Sequence, residues 1–294
     1  MIRKRTRFTW LDAALLLLIG VAIAYLSYRI NVGLHYNWNW GAIPQYLFRY
    51  DAEAGFWVPN LLMQGLLTTI RLSVWATLVA TILGVIGGFF RISSSLFKRL
   101  VGRTFVELIR NTPPLVLIFI FYFFVSDQIM PLFGVDEFAR SSSPGVQRVM
   151  SWLFAPPRFF AAFISAMLTV AIFEAAYIAE IVRAGIQSID RGQFEASAAL
   201  GLTWWQQMRH VILPQALQRI LPPLAGQFIS TIKDSAIVSV ISIPELTFQG
   251  MELMAATYLT FECWITITLL YLLLTLSLSL AVERLEIRMA RGLH

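Results

Sequence analysis

The chain has 294 residues, 57% of them hydrophobic and only 14% charged, with a mean hydropathy of +0.68. A soluble domain of this length carries about a quarter charged residues, so the composition is that of an all-α integral membrane protein built as one helical domain. The net charge of +6 would suggest a nucleic-acid partner in a soluble protein. Here the basic residues crowd the ends of apolar segments, as orientation signals do, and no nucleic acid is expected.

Six apolar segments of spanning length (about 18 residues or more) follow in chain order. The first, about 11–28, comes after the basic start MIRKRTRF and resembles a signal peptide. No small-x-small cleavage site follows it promptly, so it is read as an uncleaved span. Segment 29–65 is rich in aromatics such as Trp38, Trp40, Tyr50 and Trp57, which suits a membrane–water boundary. The second span is expected at about 66–90 and the third at about 105–125. The connection 126–158 reads as an ordinary loop. The fourth span is expected at about 159–181 and the fifth at about 221–243, the latter interrupted by Lys233 and Asp234. The sixth is expected at about 260–282.

With the amino terminus placed inside, most arginines and lysines, from Arg3 to Arg291, fall at inner ends. Only Arg29, Arg49, Arg71, Arg140, Arg148 and Arg158 fall outside. The asymmetry holds at every crossing, so both termini are predicted in the cytoplasm. In the second span Ala76, Ala80, Gly84 and Gly88 recur every fourth residue, a ribbon that predicts close helix packing. Pro222, Gly226, Ser230 and Asp234 form a similar face in the fifth span, read equally as packing or as transport lining.

Ionisable groups at bilayer depth are costly and face a cavity or each other. The candidates are Glu174, Glu180, Lys233 and Asp234. Lys233 and Asp234 are sequence neighbours and cannot pair across one helix. One reading gives them and Glu174 to a substrate; the other is a Glu174–Lys233 pair bracing spans four and five. Glu180 stands three residues before Arg183, which favours an in-helix ion pair. Thr112, Pro113 and Pro114 interrupt the third span, as a gate hinge or a simple kink. There is one cysteine, Cys263, and the histidines 35, 210 and 294 are scattered, so neither a disulfide nor a metal site is expected. None of the three lysines follows a glycine, and no phosphate-binding G-x4-GK-[ST] loop exists. No catalytic residue and no cofactor are expected.

The stretch Glu195–Pro214, EASAALGLTWWQQMRHVILP, lies between spans four and five on the basic side. It resembles the EAA loop, EAA-x3-G-x9-I-x-LP, of permease subunits of bacterial ABC importers. Glu195, Ala196, Gly201, Leu213 and Pro214 fit and Ala199 lies within the loop, whereas Ser197 replaces an alanine and Val211 the isoleucine. The bland alternative is an amphipathic helix-turn-helix between spans. The resemblance extends through Gly65-Leu-Leu-Thr-Thr, Arg110-Asn-Thr-Pro-Pro, the run from Ala176 and Tyr177 to Ile189, and Ile232-Lys-Asp-Ser-Ala, elements similar to those of polar amino-acid permeases.

That family implies the type I ABC importer permease fold: a five-helix core at 65–284 plus one added helix within 1–64, then a cytoplasmic tail at 285–294. It implies a separate ATPase docked on Glu195–Pro214, a second permease copy or paralogue, a periplasmic binding protein and a polar amino acid as substrate, in the bacterial inner membrane. On this reading Glu174, Tyr177, Glu180, Lys233, Asp234 and Thr112 line the pathway, with the two acids of spans four and five meeting an ammonium and Lys233 a carboxylate. A secondary transporter and a non-transporting assembly subunit are the rival readings; neither needs the coupling loop. The amino acid carried, and whether the permeases pair as identical or different chains, are left open by the sequence.

Overall fold

The computed structural model describes residues 9–33, 36–53 and 55–291. The basic start (Arg3, Lys4, Arg5, Arg7), His35 and His294 lie outside the described residues. The chain divides into two compact units, residues 1–41 and 42–294. The first holds α1 (Trp10–Gly33), an apolar helix whose leucines are exposed around its circumference, as suits a helix solvated by hydrocarbon.

The second unit begins with α2 (Ile43–Leu47) and a two-stranded hairpin, β1 (Phe48–Asp51) and β2 (Phe56–Pro59). Both pack with α3 (Leu61–Ile92), so residues 42–64 of the segment expected to accompany the amino-terminal helix fall in the second unit. At 32 residues α3 is about 48 Å long, more than the ~30 Å hydrocarbon core requires.

A further helix pair replaces the single third span expected at 105–125. Here α4 (Leu96–Asn111) is amphipathic and ends where Thr112, Pro113 and Pro114 break the chain; α5 (Pro114–Phe124) starts the apolar span, which runs on through a π-helical turn to α6 (Met130–Leu132). The residue before a proline disfavours helical geometry, and a proline suits a helix's first turn. The dipeptide therefore separates two helices rather than kinking one.

The connection expected to be an ordinary loop carries α7 (Val135–Ser141) and α8 (Pro144–Leu153). The central helix is α9 (Phe160–Gln187), which packs on α3, α4, α5 and α12. It is apolar and Ala-rich all round, the pattern of a helix buried on every side. After it come α10 (Arg191–Ala199), α11 (Trp204–Gln207), a π-helical turn at Met208–Ile212 and α12 (Leu213–Asp234). A 3-10 turn, Ser235–Ile241, leads to α13 (Leu246–Thr257), unforeseen in the sequence, and α14 (Thr260–Arg291). Residues 285–291, expected as a tail, continue α14. Among the described residues, five helical segments of the second unit are long and apolar enough to span a membrane, with the shorter apolar Trp10–Tyr25 besides.

The small-residue ribbon of α3 explains its fit on α9. A Cβ added at Gly84 would stand 2.6 Å from Ile178, and one at Gly88 2.6 Å from Val182. Contacts 84–178 and 88–182 advance together along both helices, so α3 and α9 run parallel. By contrast Gly185 meets Ile220, and Glu174 meets Gln227, so α12 runs antiparallel to α9. These are the relative directions that alternating spans require.

Candidate functional site

Glu174 sits in the middle of α9 with no solvent exposure. Its Oε2 accepts a hydrogen bond from Gln227 Nε2 of α12 at 2.6 Å. Its Oε1 is buried and has no hydrogen-bond partner among the described residues. Asp234, the last residue of α12, is near enough for its charge to act on Glu174. Two acids and an amide therefore meet where α12 unwinds into the 3-10 turn. A buried acceptor left unpaired is expensive, and a pair of close carboxylates favours a bound cation or proton. The arrangement suits an ammonium group.

Gln227 connects this point to a cavity of about 520 Å³ lined also by Arg110, Tyr177, Glu180, Arg219 and Pro223. The Arg110 guanidinium lies 5.5 Å from the Tyr177 ring centroid, a cation–π distance. Glu180 is an ion-pair hub: it receives Arg183 Nε at 3.0–3.1 Å and is also paired with Arg91 of α3. The expected in-helix pair is present, with a cross-helix partner added. Pro222 and Pro223 inside α12 remove two backbone donors, loosening the helix beside the cavity.

Of the six residues expected along a pathway, the structure brings Glu174, Tyr177, Glu180 and Asp234 into this neighbourhood. It does not bring in Lys233 or Thr112. Lys233 is exposed and, among the described residues, forms no ion pair; the partner of Glu174 is Gln227, so no Glu174–Lys233 brace exists. Lys233 and Asp234 are about 100° apart on one helix; both are exposed, and it is the acid whose charge acts on Glu174. Thr112 ends α4 and bonds Leu108 O at 2.7 Å, lining a separate groove with Arg103 and Glu107. The face of α12 holding Gly226 has open space at that glycine, so among the described residues no other helix of this chain packs there. Gln227 and Arg219 were missed. Gln227, Thr231 and Asp234 share one face at spacings of four and three, a signal the sequence did contain.

The second region is the turn between α9 and α12. Asp190 caps α10 by accepting from Gly192 N, as short acids do at helix starts. Glu195, Ala196 and Ala199 are exposed on α10. Gly201 leaves the helix at φ +74° with open space around it, a left-handed conformation that glycine adopts freely. Thr203 and Gln206 then form a capping box that starts α11. Leu200 is 80% exposed and Trp205 73%, while Met208 and Ile212 anchor the turn in the core. Leu213 and Pro214 open α12. An exposed, rigidly anchored apolar knuckle of this kind is suited to docking on another protein.

Comparison with known proteins places these features in context. Residues 80–291 match the family described as binding-protein-dependent transport system inner membrane component. The glutamine transport system permease protein GlnP of Escherichia coli K12 is 34% identical over 258 residues, 87% of this chain and 99% of its own length. The glutamate/aspartate import permease protein GltJ of the same organism is 32% identical over 251 residues, covering 85% and 94%. A solved amino acid ABC transporter with histidines superposes with a TM-score of 0.62 at 35% identity, covering 78% of this chain and 94% of that one.

Proposed function

The chain belongs to the family of binding-protein-dependent transport system inner membrane components, and from that premise we propose that it carries a polar amino acid across the bacterial inner membrane into the cytoplasm. It is a multi-pass permease subunit of an ABC importer. Hydrolysis belongs to a partner ATPase, and a binding protein delivers the substrate. A second permease, identical or paralogous, completes the pathway. Both termini lie in the cytoplasm, which puts the 190–214 turn within reach of the ATPase and the hairpin outside.

Glu195, Ala196, Ala199, Gly201, Leu213 and Pro214 form the coupling segment. ATP binding closes the ATPases, the coupling segments shift and the permease pair turns from inward- to outward-facing. The observation that carries the substrate reading is the buried Glu174 with one unpaired oxygen beside Asp234 and Gln227. These acids meet the ammonium of the amino acid; Arg110 and Arg219, on the cavity wall, meet its carboxylate.

Uptake of radiolabelled amino acids by proteoliposomes holding the full transporter tests this. Glu174→Gln and Asp234→Asn each remove a charge-assisted contact, so uptake affinity should fall very roughly ten- to a hundred-fold while the binding protein still stimulates ATP hydrolysis. Lys233→Met should leave uptake near normal. Unchanged uptake by both acid variants would remove them from the pathway.

A further inference from the structure

A second polar cleft opens at the opposite end of the core from the 190–214 turn. It has a volume of about 440 Å³, within the ~300–1,000 Å³ range of small-molecule pockets. Three arginines from separate elements line it: Arg49 from β1, Arg71 from α3 and Arg158 from the turn before α9. Among the described residues, none of the three is in an ion pair. Arg158 rests over the Phe159 ring at 4.6 Å, which holds its stem without neutralising it. Three guanidinium groups facing one space repel one another, and arginine's planar fork is matched to a carboxylate.

The cleft is also lined by Asp51, whose Oδ1 already accepts from the Glu53 N–H at 3.0 Å, by Gln64 and by Gln249. Gln249 is only 9% exposed, and its Oε1 is buried with no hydrogen-bond partner among the described residues. It stands on the first turn of α13, held by Glu245 below it. Cations and acceptors lining one cleft are the two halves of a zwitterion's complement. A lone inorganic anion would use only the arginines.

We propose that this cleft is a binding site for a free amino acid, distinct from the Glu174 site, with the α-carboxylate on Arg71 and Arg158 and the ammonium towards Asp51 and Gln249. It depends on the importer reading only for its direction: with the hairpin outside, the cleft receives the amino acid before it enters the membrane.

The test uses the purified chain in nanodiscs, open on both faces and free of ATPase and binding protein. L-Glutamine, L-glutamate and L-arginine are titrated by calorimetry, with L-glutamine amide, which lacks the α-carboxylate, as the discriminating probe. Saturable binding of at least one amino acid is expected, and none of the amide. Arg71→Gln and Arg158→Gln should each weaken that binding about tenfold or more. Arg71→Lys and Arg158→Lys should recover part of it, separating lost charge from lost folding, and Glu174→Gln, which weakens the intramembrane site, should leave the arginine-dependent component of binding in place. No saturable binding, equal binding by the arginine variants, or binding lost only in Glu174→Gln would each overturn the proposal. The last result would leave the importer reading standing. A loss of affinity for the binding protein alone, with free amino acid bound normally by the arginine variants, would overturn it too and make the cleft a protein-docking face.

Discussion

Replacing Glu245 by alanine should destabilise the core more than any single surface change, because one carboxylate there joins three helices. Its oxygens accept from the backbone N–H groups of Thr247 and Phe248 at 2.8 Å, capping α13, and from Tyr271 Oη of α14 at 2.9 Å. Thr69 Oγ1 of α3 approaches at 3.4 Å. Loss of an N-cap costs about 0.5–2 kcal/mol, and loss of a hydrogen bond to a charged acceptor about 1.5–3 kcal/mol. Tyr271 keeps Thr247 Oγ1 as an alternative partner at 3.1 Å, and Thr69 keeps its acceptance of the Leu246 N–H at 3.1 Å. The hydroxyls are therefore cushioned and the cap is not, which puts the expected loss at about 2–4 kcal/mol.

Thermal unfolding of Glu245→Ala in nanodiscs should show a midpoint lower by several degrees, with Glu245→Gln falling between it and the native chain. A buried carboxylate also carries a desolvation penalty. An unchanged or higher midpoint for Glu245→Ala would mean that this penalty outweighs all the bonds, and would refute the reasoning.

Gly201→Asp has open space at its Cβ but must hold φ +74°, which aspartate tolerates better than most residues at a cost of about 1–2 kcal/mol, so membrane abundance should fall only a little. It should nonetheless lower both uptake and transport-linked ATPase stimulation, and normal uptake by this variant would count against docking at the turn. Gly84→Leu should lower the unfolding midpoint through overpacking against Ile178, a cost of about 1–3 kcal/mol; Gly226→Ala, with open space, should not. For orientation, Trp57→Cys and Leu200→Cys are compared in intact cells with a membrane-impermeant thiol reagent. Cys263 is buried and should stay silent; Trp57→Cys should label and Leu200→Cys should not, and the reverse pattern would invert the topology.

Much of the architecture was legible because its causes are local or periodic. The four-residue ribbon at Ala76, Ala80, Gly84 and Gly88 predicted a close helix contact, and all four residues are buried. Glu180 and Arg183 lie one turn apart, and so they pair. Gly201, which fits the fixed glycine of the EAA pattern, leaves α10 at φ +74°, a conformation that a residue without Cβ takes freely.

The failures came where tertiary context decides. Val106 and Ile109 of α4 bury their apolar stripe against Phe173 and Ala176; read linearly, that stripe merged with the truly apolar α5 into a single span. Of the two readings left open for Glu174, the brace with Lys233 is absent, and its partner is Gln227, which the sequence reading did not single out. Glu245 was not singled out at all. Its only local signal was an acid before a short helix, and glutamate is not among the preferred N-cap residues.

The two candidate regions are joined by a helix unlike its neighbours. The parallel α3 and α9 touch through glycine and alanine, backbone against side chain at 2.6–3.1 Å from the absent Cβ positions, and they leave little room to slide. In α12 a π-helical turn precedes the first residue, two prolines interrupt the middle, and a 3-10 turn follows the last. Its start carries the exposed knuckle through Leu213 and Pro214, and its end carries Asp234 beside Glu174. Packed small-residue contacts resist displacement, whereas a segment missing backbone hydrogen bonds bends at lower cost. A push on the knuckle therefore meets a rigid wall at α9 and a compliant rod at α12, about 33 Å long at 22 residues. On the coupling proposed above, a change at the knuckle would reach the acids through α12, altering the distance between Asp234, Gln227 and a fixed Glu174.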